Sequence, residues 1–294
     1  MQAIILRAYA KINMLLNITG KRNDGYHTLD GVMIPISLFD TVRVAKSDAL
    51  TVICDDKNIA SGEQNSAYKI AKRFFEYTGI KYGAEIFINK RIPFEAGLGG
   101  GSSDAACVLL ALNRLYNKQL SEKALTAIAA QCGADIPFFL SSGAKRAQGI
   151  GDQLRLIPYR FDYPFVLIKP KCGVNTAEAY RLFHQTSNEL ADVEACITAL
   201  GHNDIKTFAR FSKNMLQQAG ITFCPQIQVA LSALYSAGAL FAQMTGSGSA
   251  VYGLFENENL SKKAVREIFA SGLFDFILPV TYSQYTHETM LTIY

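Results

Sequence analysis

One short run, Gly97-Leu98-Gly99-Gly100-Gly101-Ser102-Ser103, constrains what this chain can fold into more than any other. Glycine tolerates positive φ and lets a ligand approach the backbone closely, so successive N–H groups can point at one anion. The run stands between Ala84–Asn89, which reads as a strand, and a helix expected from about Asp104 to Tyr116. A helix opening at that point adds its N-terminal partial positive charge, about 0.3–1 kcal/mol per anion at an exposed site. Ser102 and Ser103 bring two hydroxyls to the same mouth. The combination reads as a phosphate cradle. It is not the P-loop, because no Gly-Lys-Ser/Thr follows the glycines. Nor is it the dinucleotide fingerprint, whose repeated βαβ setting is missing here. A turn whose glycines serve only its shape is the competing reading.

The other elements are legible from periodicity and punctuation. From Ala8 to Ile18, Ala8, Ala10, Ile12, Met14, Leu16 and Ile18 alternate with Tyr9, Lys11, Asn13, Leu15 and Asn17. That is a strand with Lys11 and Asn13 side by side on one face. Asp24-Gly25 turns the chain, and Tyr26-His27 begins a return toward Leu38. Further strands are expected at Thr41–Ala45 and Leu50–Cys54. Asn65 or Ser66 caps a helix that Gly79 stops, and Ser121 caps another that ends at Gly133. Asp135 then follows in the apolar stretch Ala134–Leu140. Beyond Pro158 come a strand at Phe165–Ile168 and helices at Thr176–Phe183 and Gln226–Tyr235. Strands at Leu240–Met244 and Ala250–Phe255 flank Thr245-Gly246-Ser247-Gly248-Ser249, before a helix at Ser261–Ala270 and a strand at Phe276–Val280. Helices and strands mix without a regular βαβ order, so the fold class is α+β. At 294 residues the chain has room for two domains of roughly 150 residues each, placed at 1–157 and 158–294.

Charge and cysteine usage narrow the function. The 29 Lys and Arg against 25 Asp and Glu are interspersed, with no basic run, which argues against nucleic acid and suits a small anionic ligand. The six cysteines show neither metal nor redox spacing, so reduced thiols are expected, with Cys107 and Cys172 as incidental small hydrophobes. Nothing in the opening residues reads as a signal peptide, and no stretch reaches the roughly 20 apolar residues of a membrane span. A cytoplasmic protein without a membrane partner is the expectation.

Pro93-Phe94-Glu95-Ala96-Gly97-Leu98-Gly99-Gly100-Gly101-Ser102-Ser103-Asp104-Ala105-Ala106 resembles the nucleotide-binding motif of the GHMP kinases. Ala8–Asn13, Gly20–His27, Gly133–Phe139 and Thr245–Ser249 are similar to further motifs of that family, so the resemblance spans the chain. It implies a two-domain fold: an N-terminal β-α-β domain of ribosomal-protein-like type and a C-terminal ferredoxin-like domain, with the active site in the cleft between them. It also implies an ATP-dependent kinase acting on a hydroxyl of a small-molecule substrate, a cytidine diphosphate derivative. Mg²⁺ would accompany ATP, and the protein would be a monomer or homodimer.

The resemblance also assigns roles, each with a plainer alternative. Asp135 would be the general base and Lys11 the cation beside it. From the residues alone, Asp135 could equally cap a helix before Pro137, and Lys11 could be an ordinary strand lysine. Burial among apolar neighbours is expected to raise the Asp135 pKa while Lys11 opposes that shift. Asn13 would hold substrate, Tyr26 would stack on the cytosine and His27 would hydrogen-bond it; simple hairpin packing is the alternative. Pro93 to Ser103 would line ATP, with Asn65 and Lys90 on the adenine side, although a helix cap and a solvated strand end also explain those two. Thr176, Gly246, Ser247 and Gly248 would line the substrate side, or form an ordinary lip and hairpin turn. Ser103 is the one candidate to touch Mg²⁺. Asp104 suits the first helical turn but would repel ATP if it faced inward.

Overall fold

A computed structural model of the chain describes residues 2–81, 83–183 and 189–293. The alternation seen from Ala8 extends in both directions, giving a strand β1 over Ala3–Lys21. After a tight turn at Gly25, β2 runs unbroken over His27–Ser47, joining the two segments expected at Tyr26–Leu38 and Thr41–Ala45. The pair is antiparallel, with Lys11 opposite Pro35 and Asn13 opposite Met33, and its register shifts between Tyr9 and Lys11 and again between Asn13 and Leu15. Such shifts bend a strand and re-aim its side chains.

The chain continues through β3 (Thr51–Cys54), α1 (Ser66–Thr78), β4 (Gly83–Asn89), α2 (Gly100–Leu115) and α3 (Glu122–Cys132). A 3-10 turn over Ile136–Leu140 leads to the short hairpin of β5 (Lys145–Gly149) and β6 (Gln153–Leu156). The second half holds β7 (Phe165–Lys169), α4 (Thr176–Leu182), α5 (Val193–His202), α6 (Ile205–Phe211), α7 (Gln217–Phe223) and α8 (Gln226–Ser236). It ends with β8 (Phe241–Met244), β9 (Val251–Leu254), α9 (Glu258–Ala270), β10 (Phe276–Val280) and β11 (His287–Ile293).

Two sheets organise these elements. The larger runs β11-β1-β2-β4-β3, with β5 on β2 and β6 on β5; the smaller runs β10-β7-β9-β8. Helices α1 and α2 cover one face of the larger sheet, burying Ile70, Phe74, Leu109 and Leu112 against Val42 and Ile86. On the other side, Ile12, Ile34 and Leu15 share a core with Phe165, Tyr252 and Phe208 of the second half. The two-domain α+β architecture follows from that arrangement, with one addition. Strand β11 pairs antiparallel with β1, from Ala3 opposite Ile293 to Ala8 opposite His287, so the end of the chain completes the first sheet. A single break at 157/158 therefore divides the sequence more cleanly than it divides the sheets.

The cysteine expectation needs one correction. Cys172 and Cys224 are joined as a disulfide, their Cα atoms 5.9 Å apart across 52 positions of sequence. The pairing arises where the segment after β7 meets the C-terminal cap of α7, a contact no local spacing rule reveals. Cys54, Cys107, Cys132 and Cys196 are free thiols. No helix among the described residues is long and apolar enough to cross a membrane.

Candidate active site

A cleft of about 1230 Å³ opens where β1, the glycine-rich run, the 3-10 turn and α4 converge. At its floor, Lys11 is almost wholly buried and donates from Nζ to Asn13 Oδ1 at 2.7 Å. Nζ also lies 3.8 Å from Asp135 Oδ2. Burial pushes the Lys11 ammonium below the usual lysine range, and the nearby Asp135 carboxylate opposes that shift. Asp135 heads the 3-10 turn, yet its side chain makes no capping hydrogen bond. It is also more open than its apolar neighbours suggested: its side chain is 42% exposed and borders the cleft. Neither the capping alternative for Asp135 nor the solvated-face alternative for Lys11 describes what the fold does with them.

The glycine-rich run is strapped to both halves of the protein. Leu98 accepts from Lys11 N at 3.0 Å, and the Glu95 and Ala96 carbonyls accept from Ser249 N and Ala250 N at 3.3 and 3.1 Å. Gly97 has φ +72°, and a Cβ there would lie 2.3 Å from the Thr245 carbonyl oxygen, so no side chain fits. Gly99, also at φ +72°, is the N-cap of α2, which starts at Gly100 and not near Asp104 as expected. The left-handed cap turns the chain so sharply that the last glycines and both serines become the first helical turn. The helix supplies no acceptor for the amides of Gly100, Gly101 and Ser102, which gather at the cleft. Unpaired amides at the start of a helix are an arrangement able to receive an anion.

Ser103 and Lys90 stand differently from expectation, while Asn65 is the helix cap that its position suggested. Ser103 is fully buried and donates from Oγ to the Tyr9 carbonyl at 2.8 Å, so it faces away from any nucleotide and does not fit a Mg²⁺ ligand. Ser102 is the serine that lines the cleft. Asn65 borders the cleft but serves as the N-cap of α1, accepting from Ala67 N at 2.8 Å and donating to the Ala60 carbonyl at 2.9 Å. Lys90 also borders it, with its ammonium held at 2.5 Å by Asp40 and 2.7 Å by Asp104. Burial works against the Lys90 charge, but Asp104 and Asp40 outweigh it and hold the pKa above the usual range. Asp104 thus borders the cleft but is paired with Lys90; burial pushes its carboxyl up to about 7, with Lys90 opposing. Asp40, which no motif in the sequence marks, also accepts from Arg91 N and Ile92 N, fixing the approach to the glycine-rich run.

On the opposite wall, His27 stacks on Tyr180 with ring centroids 5.2 Å apart and packs edge-on to Phe183. Burial, aided by Lys21, lowers the His27 pKa and favours the neutral ring. Tyr26 is 60% exposed at the rim, free to cover a planar ligand. Thr176 Oγ1 and Ser247 Oγ lie 2.9 Å apart, joining the start of α4 to the Gly246–Gly248 turn. That turn is braced by a second residue the sequence did not flag: Asn214 donates to the Met244 and Gly246 carbonyls at 2.7 and 2.9 Å. Tyr180 and Asn214 carry no motif; only the three-dimensional neighbourhood reveals them. Among the described residues there is no cluster of three or more His, Cys, Asp or Glu side chains suited to hold a metal ion.

The chain is similar to known proteins along most of its length. Residues 65–143 match the family described as GHMP kinases N terminal domain, and residues 196–272 match GHMP kinases C terminal. A relative from Prosthecochloris aestuarii, named 4-diphosphocytidyl-2-C-methyl-D-erythritol kinase, is 37% identical over 92% of this chain and 96% of its own. One of the same name from Desulfitobacterium hafniense is 41% identical over 87% of this chain and 88% of its own. A crystal structure of 4-(cytidine 5'-diphospho)-2C-methyl-D-erythritol kinase superposes with a TM-score of 0.80 at 32% identity, covering 95% of this chain and 99% of that one.

Proposed function

The chain belongs to the GHMP kinase family, and on that premise we propose that it transfers the γ-phosphoryl group of ATP to the 2-hydroxyl of 4-diphosphocytidyl-2-C-methyl-D-erythritol. The reaction is a step of the non-mevalonate isoprenoid pathway, and its use of ATP suits the cytoplasm. The relatives' shared name supports the substrate; the Lys11–Asp135 approach beside the α2 N-terminus is the observation that carries the chemistry.

Phosphoryl transfer depends mostly on positioning and on stabilising charge. The amides of Gly100, Gly101 and Ser102 would receive the phosphates, and the Lys11 ammonium would face the charge that develops on the transferring group. As the substrate oxygen forms its bond to Pγ, the Pγ–O bond to the β-phosphate breaks and ADP leaves with the electron pair. The hydroxyl proton passes to Asp135. Asn13 would orient the hydroxyl while fixing the Lys11 ammonium. The Ser102 hydroxyl, which lines the cleft, could contribute one oxygen to Mg²⁺ carried on the ATP phosphates. When bound, the ion neutralises phosphate charge.

Selection of cytosine would fall to Tyr26 and His27. A neutral imidazole offers one donor and one acceptor, and the Tyr180 face beneath holds it in plane. Coupled ADP release with this substrate, and in parallel with mevalonate and homoserine, tests the proposal. Turnover of the cytidyl compound alone is expected; turnover of a competitor without it would overturn the substrate assignment.

A further inference from the structure

Lys145 is a second buried lysine in this half of the protein, 2% exposed, with no motif around it. It projects from β5 and makes no ion pair among the described residues. Its ammonium donates instead to the Phe138 carbonyl at 2.9 Å and to the Ser141 carbonyl, and it sits 4.4 Å from the centre of the Phe138 ring. These carbonyls belong to the 3-10 turn that opens on Asp135, and to the residue that caps its far end. A helical turn cannot satisfy its own last carbonyls, and cationic side chains are suited to that end.

A second clamp closes on the same turn from the C-terminal segment, sharing the Ser141 carbonyl with Lys145. Thr286 Oγ1 reaches the Phe139 and Ser141 carbonyls at 3.0 and 3.2 Å, and His287 Nδ1 lies 3.1 Å from the Phe139 carbonyl. The Phe139 ring packs against Gly99, so the clamped turn also supports the cap of α2. Burying a cation without a counter-ion is costly, and burial pushes the Lys145 ammonium down to about 8. An apolar side chain would fill the space at lower cost if packing were its whole task.

We infer that Lys145, together with Thr286, is a positioning residue for the catalytic base: it fixes the turn that aims Asp135 at Lys11 and seats Phe139 beneath the phosphate mouth. The inference rests on the reading of Asp135 as the base. It assigns Lys145 no contact with substrate, so its loss should slow the chemical step and leave both substrates' binding nearly intact.

The test compares the parent with Lys145→Met, Lys145→Ala and Thr286→Val in the coupled ADP-release assay, with Asp135→Asn alongside. Lys145→Met is expected to lower kcat by about tenfold, with KM for ATP and for the cytidyl substrate within about twofold, as for a small displacement of a reacting group. Ethylammonium added to Lys145→Ala should restore several-fold of the lost kcat by filling the vacated donor position. Thr286→Val, which removes the one hydroxyl proton shared between two carbonyls without touching charge, should lower kcat about threefold, as loss of part of one clamp would. A Lys145→Met kcat within about twofold of the parent overturns the inference. If Lys145→Met does not fold, Thr286→Val decides alone, and an unchanged kcat there is equally fatal. Full activity in Asp135→Asn would instead sink the base assignment, whatever the Lys145 variants do.

Discussion

Lys11 and Asp135 meet across the cleft floor at 3.8 Å, one side chain buried on β1 and the other partly open at the head of a 3-10 turn. Neither position is unusual for its element. Their meeting depends on the register shifts that bend β1 and on the packing of the turn beneath the glycine-rich run.

Replacing Asp135 by Asn should therefore remove the proton acceptor and keep the fold. Because the carboxylate caps nothing, the turn has no reason to move. We expect kcat to fall by about 10²–10⁴-fold, the usual range for a general base. A thermal melt close to the parent's should accompany that loss; a large drop in the melt would mean that the residue is structural.

The His27–Tyr180 stack gives a prediction about binding. Losing an aromatic platform for a base costs about 1–3 kcal/mol, so Tyr26→Ala should raise KM for the cytidyl substrate by about five- to a hundredfold. His27→Ala, which loses a hydrogen bond to the base, should raise it by about two- to tenfold. KM for ATP should stay put. The lowered His27 pKa keeps the ring neutral at and somewhat below the ordinary imidazole value of 6.5, so the KM rise caused by its protonation should begin only at more acidic pH. Initial rates between pH 5 and 8 check both statements.

Lys90 sits between two buried carboxylates and cannot be removed alone without consequence. Lys90→Met should destabilise the protein by about 3–5 kcal/mol, the cost of stranding buried charge. Adding Asp104→Asn should recover part of that loss, because it removes one of the two stranded carboxylates. Urea unfolding of the single and double variants measures the difference.

Lys145 makes a prediction in the opposite sense on pH. Its folded value of about 8 lies below its ordinary value of 10.5, so between those pH values the unfolded chain binds more protons than the folded one. Stability must then rise with pH through that window, by about 1 kcal/mol per pH unit. Subtracting the curve of Lys145→Met cancels the other lysines, and the titratable neighbour His287, whose pKa is lowered by burial, has already lost its proton there. Urea midpoints from pH 7.5 to 10 should show the parent gaining on the variant; a flat difference would contradict the burial argument.

Much of the site is legible in the sequence because it is written in local patterns. Alternation places Lys11 beside Asn13, Asn65 and Ser121 announce helix starts, and the glycine-rich run announces an anion site. What stays hidden is long-range or short. β5, β6 and β11 are brief strands with polar or half-exposed positions, and α6 and α7 are two-turn helices of seven residues each. The inward turn of Ser103, the Lys90 ion network, the Cys172–Cys224 pairing and the support from Tyr180, Asn214 and Lys145 arise between segments distant in sequence. Periodicity carries no trace of them.

We propose that this cleft moves the γ-phosphoryl group onto the cytidyl substrate with Asp135 as proton acceptor. The most direct measurement is ³¹P NMR of a reaction containing ATP, Mg²⁺ and 4-diphosphocytidyl-2-C-methyl-D-erythritol, followed in parent and Asp135→Asn protein. A new phosphomonoester resonance should grow in step with ADP in the parent, and at least about a hundredfold more slowly in the variant. ADP appearing with inorganic phosphate and no phosphomonoester, or equal growth in both proteins, would contradict it.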